Sequence, residues 1–125
     1  MEIGIVGKQE IVVTKELTAE VIGSGLLPVY STPSMIALME NTASKSVEEF
    51  LGEGQGTVGT SLNIKHLSAT AVGKAVTCES KLIEVDRKRL VFEVKAYDEA
   101  GLIGEGTHER FIIDNKKFME RTLNK

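Results

Sequence analysis

Three residues in this 125-residue sequence have types and positions that could do chemistry. Thr32 stands before Pro33 at a helix start. Glu40 follows two helical turns later. His66 ends a strand-like run after the glycine-rich break Gly52-Glu53-Gly54-Gln55-Gly56. A hydroxyl at a helix N-terminus lies in a positive field, where a developing anion is favoured. A carboxylate on an apolar helix stripe is dehydrated unless partnered, which suits a base or a nucleophile. An imidazole moves protons near neutral pH. Each has a plainer alternative: Thr32 as a helix cap, Glu40 as a helix-edge group reaching water, His66 as a hydrogen-bonded structural residue.

Periodicity gives the helix and strands that bring these residues into place. Thr32-Pro33 is a helix start and Leu51-Gly52 a helix end, so one helix of about five turns is expected over Pro33 to Leu51. Met35, Met39, Thr42, Ser46 and Phe50 fall on one stripe, and Ile36, Glu40, Ala43 and Val47 on the next. Thr57 to His66 alternates, with Val58, Thr60, Leu62, Ile64 and His66 assigned to the inner face and Gly59 to the other. Gln9 to Glu16 contains a β-branched cluster and reads as a strand. Lys74 to Asp86, Arg89 to Tyr97 and Leu102 to Ile113 read as three more, joined by turns at Asp86-Arg87-Lys88 and Asp98 to Gly101. Gly104 and Gly106 inside the last strand imply a bulge or a close backbone neighbour. Asn115 to Lys125 reads as a polar tail with one helical turn around Phe118 and Met119. One helix followed by a meander implies an α+β domain over residues 1–125, with an antiparallel sheet wrapped round the helix.

Composition excludes several classes. The net charge is -3 with no long basic run, and aromatics make up 5% with no Trp, which argues against a nucleic-acid partner. Cys78 is the sole cysteine, so neither an intrachain disulfide nor a thiolate cluster can form, and a reducing cytoplasm is expected. No apolar run is long enough to span a bilayer as a helix, and the N-terminus lacks the pattern of a signal peptide. A metal held by His66 and His108 with Glu40 or Glu105 would lack any recognised ligand spacing. The glycine segment is no phosphate loop, because it follows a helix and lacks the Gly-Lys-Ser/Thr ending.

Three segments together carry a resemblance. Tyr30-Ser31-Thr32-Pro33-Ser34-Met35 with Leu38-Met39-Glu40, then Thr57-Val58-Gly59-Thr60 with Ile64-Lys65-His66, then Asp98 through Arg110, resemble the fluoroacetyl-CoA thioesterase-like group of hot-dog-fold proteins. The similarity runs from about Gln9 to Asp114. It implies a hot-dog fold and metal-free hydrolysis of acyl-CoA thioesters by a dimer or dimer of dimers. No cofactor is implied, since coenzyme A belongs to the substrate. The resemblance places catalytic roles on Thr32, Glu40 and His66, and substrate-binding roles on Gly59 and Arg110. The family's fluoroacetyl-specific enzyme has an aromatic lid before the helix; here that loop reads Gly25-Leu26-Leu27-Pro28, which implies a different or broader acyl preference. Two other functions fit the fold: a non-catalytic acyl-CoA or metabolite-binding module, and an enoyl-thioester hydratase. The hydratase would need an Asp and a His close in sequence, and no such pair occurs.

Overall fold

A computed structural model describes all 125 residues. Its strands are β1 (Val6–Val12), β2 (Gln55–His66), β3 (Ala75–Asp86), β4 (Arg89–Asp98) and β5 (Gly101–Asp114). They form one antiparallel sheet in the order β1-β3-β4-β5-β2. The helices are α1 (Ala19–Ile22), α2 (Thr32–Val47) and α3 (Asn115–Leu123). The sheet curls round α2, as the strand–helix–meander order implies. No helix is long and apolar enough to cross a membrane.

The core lies between α2 and the inner face of the sheet. Met35, Met39, Ala43 and Val47 from α2 meet Val76, Cys78 and Leu82 of β3 and Leu90, Phe92, Val94 and Ala96 of β4, all fully buried. Apolar burial of this kind stabilises by about 25 cal/mol per Å² removed from water, so the helix is held mainly by this face. At the β5 end the inner face changes character. It carries Gly104, Gly106, His108 and Arg110 in place of branched side chains. A Cβ on Gly104 would strike Met35 at 2.6 Å, and one on Gly106 would overlap the Asn63 carbonyl. These glycines serve close approach, as the strand pattern suggests.

Several boundaries differ from the sequence reading. The first strand begins at Val6 and ends at Val12; Thr14 to Glu16 turn away into a 3-10 turn, Lys15–Leu17. Helix α2 gives way at Glu48–Phe50 to another 3-10 turn, short of Leu51. The tail is a nine-residue helix, because the Asp114 carboxylate accepts the Lys117 N–H and caps it.

The faces of β2 differ more consequentially. The register with β5 shifts between Gly59 and Ser61. Leu62, Ile64 and His66 pair with His108, Gly106 and Gly104, and Gly59 pairs with Arg110 on the same side. Val58 therefore sits on the opposite face from His66, and Gly59 turns inward. Gly59 and His66 are seven residues apart, so an unbroken alternation would separate them; one bulge residue brings them to one face.

Candidate active site

The start of α2 shows a division of labour. Ser31, not Thr32, is the N-cap: its Oγ accepts the Ser34 N–H at 3.1 Å, and its own O–H reaches Ser34 Oγ at 2.7 Å. Thr32 occupies the first helical turn with Pro33, and its hydroxyl is left free of capping. Thr32 Oγ1 lies 2.8 Å from His66 Nδ1. The imidazole meets Tyr30 edge-on, with ring centroids 6.5 Å apart. Its Nε2 is buried and has no partner in the chain. Burial holds the His66 pKa below its ordinary value, against a smaller upward effect from a Ser68 backbone hydrogen bond, so the ring favours its neutral form.

A cleft of about 300 Å³ opens beside this pair, lined by Ala19, Val29, Thr32, His66 and Leu67 among others. The loop above it is tied down by Ala19 N–H to the Val29 carbonyl and Glu20 N–H to the Leu27 carbonyl. Its tip presents Leu26, 91% exposed, and Leu27, 65% exposed.

Glu40 lies eight residues along α2 from Thr32, which is about 12 Å of helix rise. Its carboxylate faces Gly59: a Cβ there would fall 2.5 Å from Glu40 Oε2. The side chain remains 39% exposed and pairs with Arg110 Nη1 at 3.7 Å. Arg110 is buried. It donates from Nε to Thr57 Oγ1 at 2.8 Å and from Nη2 to the Thr57 carbonyl at 2.9 Å. Burial lowers its pKa, partly offset by Glu40, yet a guanidinium stays charged. Its Nη1 also lies 3.2 Å from His108 Nε2.

Within one chain the candidates thus form two groups. Thr32 and His66 meet at the start of α2. Glu40, Gly59 and Arg110 meet near its middle, joined by Thr57 and His108. Sequence reading missed the Ser31 cap and the place of His108. The second was accessible: positions 104, 106, 108 and 110 share parity on one strand, and all are glycine, histidine or arginine. No three side chains of His, Cys, Asp and Glu converge in a metal-ligand arrangement.

Comparison with known proteins supplies the context for these groups. The family model described as fluoroacetyl-CoA-specific thioesterase matches residues 13–116. The fluoroacetyl-CoA thioesterase of Streptantibioticus cattleyicolor is 36% identical over 97 residues, which span 78% of this chain and 70% of that protein. The chain belongs to this thioesterase family. Its structure superposes on that of the fluoroacetyl-CoA thioesterase FlK with a TM-score of 0.95 at 30% identity, covering 100% of this chain and 97% of that one. A thioesterase superfamily member from Thermus thermophilus gives 0.89 at 31% identity, covering 98% and 93%. The α+β hot-dog fold is thereby established, and membership makes the chain a thioester hydrolase.

Proposed function

We propose that this thioester hydrolase cleaves small acyl-CoA esters to a free acid and coenzyme A, using Thr32, Glu40 and His66. The observation that carries the reading is the contact of the Thr32 hydroxyl with His66 at 2.8 Å, beside a cleft and with the histidine's other nitrogen unpartnered. The ester carbonyl binds at the start of α2, where the helix N–H groups and the Thr32 hydroxyl receive the charge that develops on oxygen. Glu40 supplies the base that activates water, or attacks the carbonyl itself. His66, its Nδ1–H donated to the Thr32 oxygen, takes up on Nε2 the proton that Glu40 draws from water and passes it to the departing CoA sulfur. In the direct-attack route the sulfur leaves as thiolate and gains its proton when water opens the anhydride. Oxygen-labelled water in a single turnover separates the two Glu40 routes, because only direct attack leaves label in the protein. The reaction so described is metal-free, with coenzyme A entering as part of the substrate.

Glu40 and His66 lie too far apart along α2 and β2 to share one substrate carbonyl within one chain. A second copy resolves this. Strand β2 is an edge strand, exposed from Gly59 to Asn63 and without charge or proline over that run. Such an edge is a template for pairing. Antiparallel pairing with another β2 about a two-fold axis through this run sets the Gly59 end of one strand beside the His66 end of the other. Glu40 of one protomer then faces Thr32 and His66 of its partner. The protein in this reading is a cytoplasmic homodimer with two shared sites. The aliphatic tip Leu26-Leu27 places no aromatic ring over the acyl group, so acetyl-sized and somewhat larger saturated acyl groups are accepted without preference for fluorine.

A thiol-release assay over a panel of acyl-CoA esters, run beside a Glu40→Gln variant, tests the reading. Turnover by the natural sequence and none by the variant is the expected outcome. Saturable binding of the esters with no thiol released by either protein would leave only a binding module.

A further inference from the structure

His108 is fully buried, stacked on Phe92 with ring centroids 6.2 Å apart, and both of its nitrogens are engaged. Nδ1 lies 2.9 Å from the Ser61 carbonyl, which can only accept a hydrogen bond. Nε2 lies 3.2 Å from Arg110 Nη1, which can only donate one. These two partners leave a single arrangement: a neutral ring with the hydrogen on Nδ1 and the lone pair on Nε2. A second hydrogen on Nε2 would confront the guanidinium with another donor and another positive charge.

The ring therefore joins two features on which the Glu40 carboxylate depends. On one side it holds the carbonyl of Ser61, the first residue paired after the bulge that turns Gly59 inward. Thr60 adds a second tie there, its hydroxyl donating to the Glu109 carbonyl at 3.2 Å. On the other side the ring receives the Nη1 edge of Arg110, the same nitrogen that stands 3.7 Å from Glu40. All of these meet around the empty Cβ position of Gly59, which lies 2.5 Å from Glu40 Oε2, 3.2 Å from His108 Cε1 and 3.3 Å from Arg110 Nη1. The groups facing the ring are Arg110 on its own strand, Glu40 from α2, Phe92 from β4 and the Ser61 carbonyl from β2. Adjacent Glu109 pairs with Arg89 through its side chain and is turned to the other face.

We propose that His108 is a positioning residue for the Glu40 carboxylate, acting through Arg110 as the neutral Nδ1–H tautomer. The inference rests on Glu40 being a reacting group. A pair of substitutions separates the two ring contacts. Glutamine places an amide oxygen where Nε2 stood and can still receive Arg110. Asparagine places an amide near Nδ1 and can still reach Ser61, but it leaves Arg110 without its acceptor.

The experiment measures kcat and KM per folded site for His108→Gln, His108→Asn and His108→Leu, beside Glu40→Gln. Nitrogen NMR of labelled histidine in the unmutated protein reads the tautomer directly. Misplacing a reacting group by about 1 Å lowers turnover by up to about 100-fold. The Asn and Leu variants should thus lose roughly 10- to 100-fold in kcat with little change in KM, and the Gln variant should recover most of that loss. The NMR should show hydrogen on Nδ1 alone. Wild-type kcat per folded site in the Leu variant would overturn the proposal, as would equal losses in Gln and Asn or hydrogen on Nε2. Wild-type turnover by Glu40→Gln would instead remove the catalytic assignment of Glu40, while the NMR result on His108 would stand unaffected.

Discussion

The two ends of the site differ in how fully their polar groups are satisfied. At the start of α2, Thr32 is exposed, His66 has one nitrogen with no partner, and a cleft lies alongside. Near the middle of α2, Arg110 spends its donors on Thr57 and His108, and His108 spends both nitrogens on Ser61 and Arg110. Of the two charged side chains in that second group, only Glu40 keeps substantial exposure. Buried polar groups left unpaired are destabilising, so the open His66 Nε2 beside a cleft is a position where a binding partner would stabilise the fold. Groups that react stay unsatisfied; groups that orient them are saturated. In the proposed reading His66 and Glu40, each with an open position, are of the first kind, and Arg110, Thr57 and His108, with their polar groups engaged, are of the second.

Substitutions should break this contrast in graded fashion. The largest effect belongs to Glu40→Gln, which keeps the side chain's shape and removes its charge. Turnover should fall by about 10²- to 10⁴-fold. The melting temperature should scarcely move, because the ion pair is long and half-exposed. Thr32→Ala removes one donor to the oxyanion and should lower kcat by about 10²- to 10³-fold. Ser31→Ala, one residue earlier, should do the reverse. It removes the cap and destabilises by about 1 kcal/mol, while kcat per folded site changes little. Thermal unfolding and steady-state kinetics on this pair show whether cap and site are separate hydroxyls.

Gly59→Ala sharpens the other end. The new methyl group meets the flexible tip of Glu40, so the chain should fold and the carboxylate should be displaced. The expected loss in kcat is about 10- to 100-fold, less than for Glu40→Gln. An unchanged kcat would mean that the carboxylate's placement against Gly59 does not matter.

The smallest effect is on stability against pH. Burial holds both His66 and His108 below the ordinary histidine pKa of 6.5, for His108 with a further lowering by Arg110. The unfolded chain takes up protons at these residues before the folded chain does. Their contribution to stability is complete above about pH 6.5 and is lost as pH falls from there through the folded pKa values. Melting temperatures between about pH 7 and 5 should decline, with a shallower slope in His108→Gln.

Much of the scaffold is legible in the sequence because its causes are local. Alternation in β3 and β4, the Thr-Pro helix start and the turn residues at Asp86 and Asp98 each act within a few positions. The close approaches at Gly104 and Gly106 also follow from missing side chains in a strand. Two features of the site are not local. Ser31 caps because it is the extended residue before the first helical one, while the Thr32 hydroxyl meets His66, 34 positions away, a contact that local pattern does not reveal. The inward turn of Gly59 depends on a bulge set by pairing with β5, so simple alternation put Val58 and Gly59 on the wrong faces. His108 shared a parity with Arg110 and two glycines, but its tautomer is decided by partners from two strands.

In the proposed dimer, Glu40 of one protomer serves Thr32 and His66 of its partner. Complementation between two inactive chains tests it. Glu40→Gln and His66→Ala chains, each inactive alone, are unfolded together and refolded as an equal mixture. Half of the resulting dimers are mixed, and each mixed dimer holds one intact site of two, so about a quarter of wild-type turnover should return. If the mixture stays as inactive as its components while mixed dimers form, the two ends of the site do not meet across the two-fold axis and a shared site is ruled out.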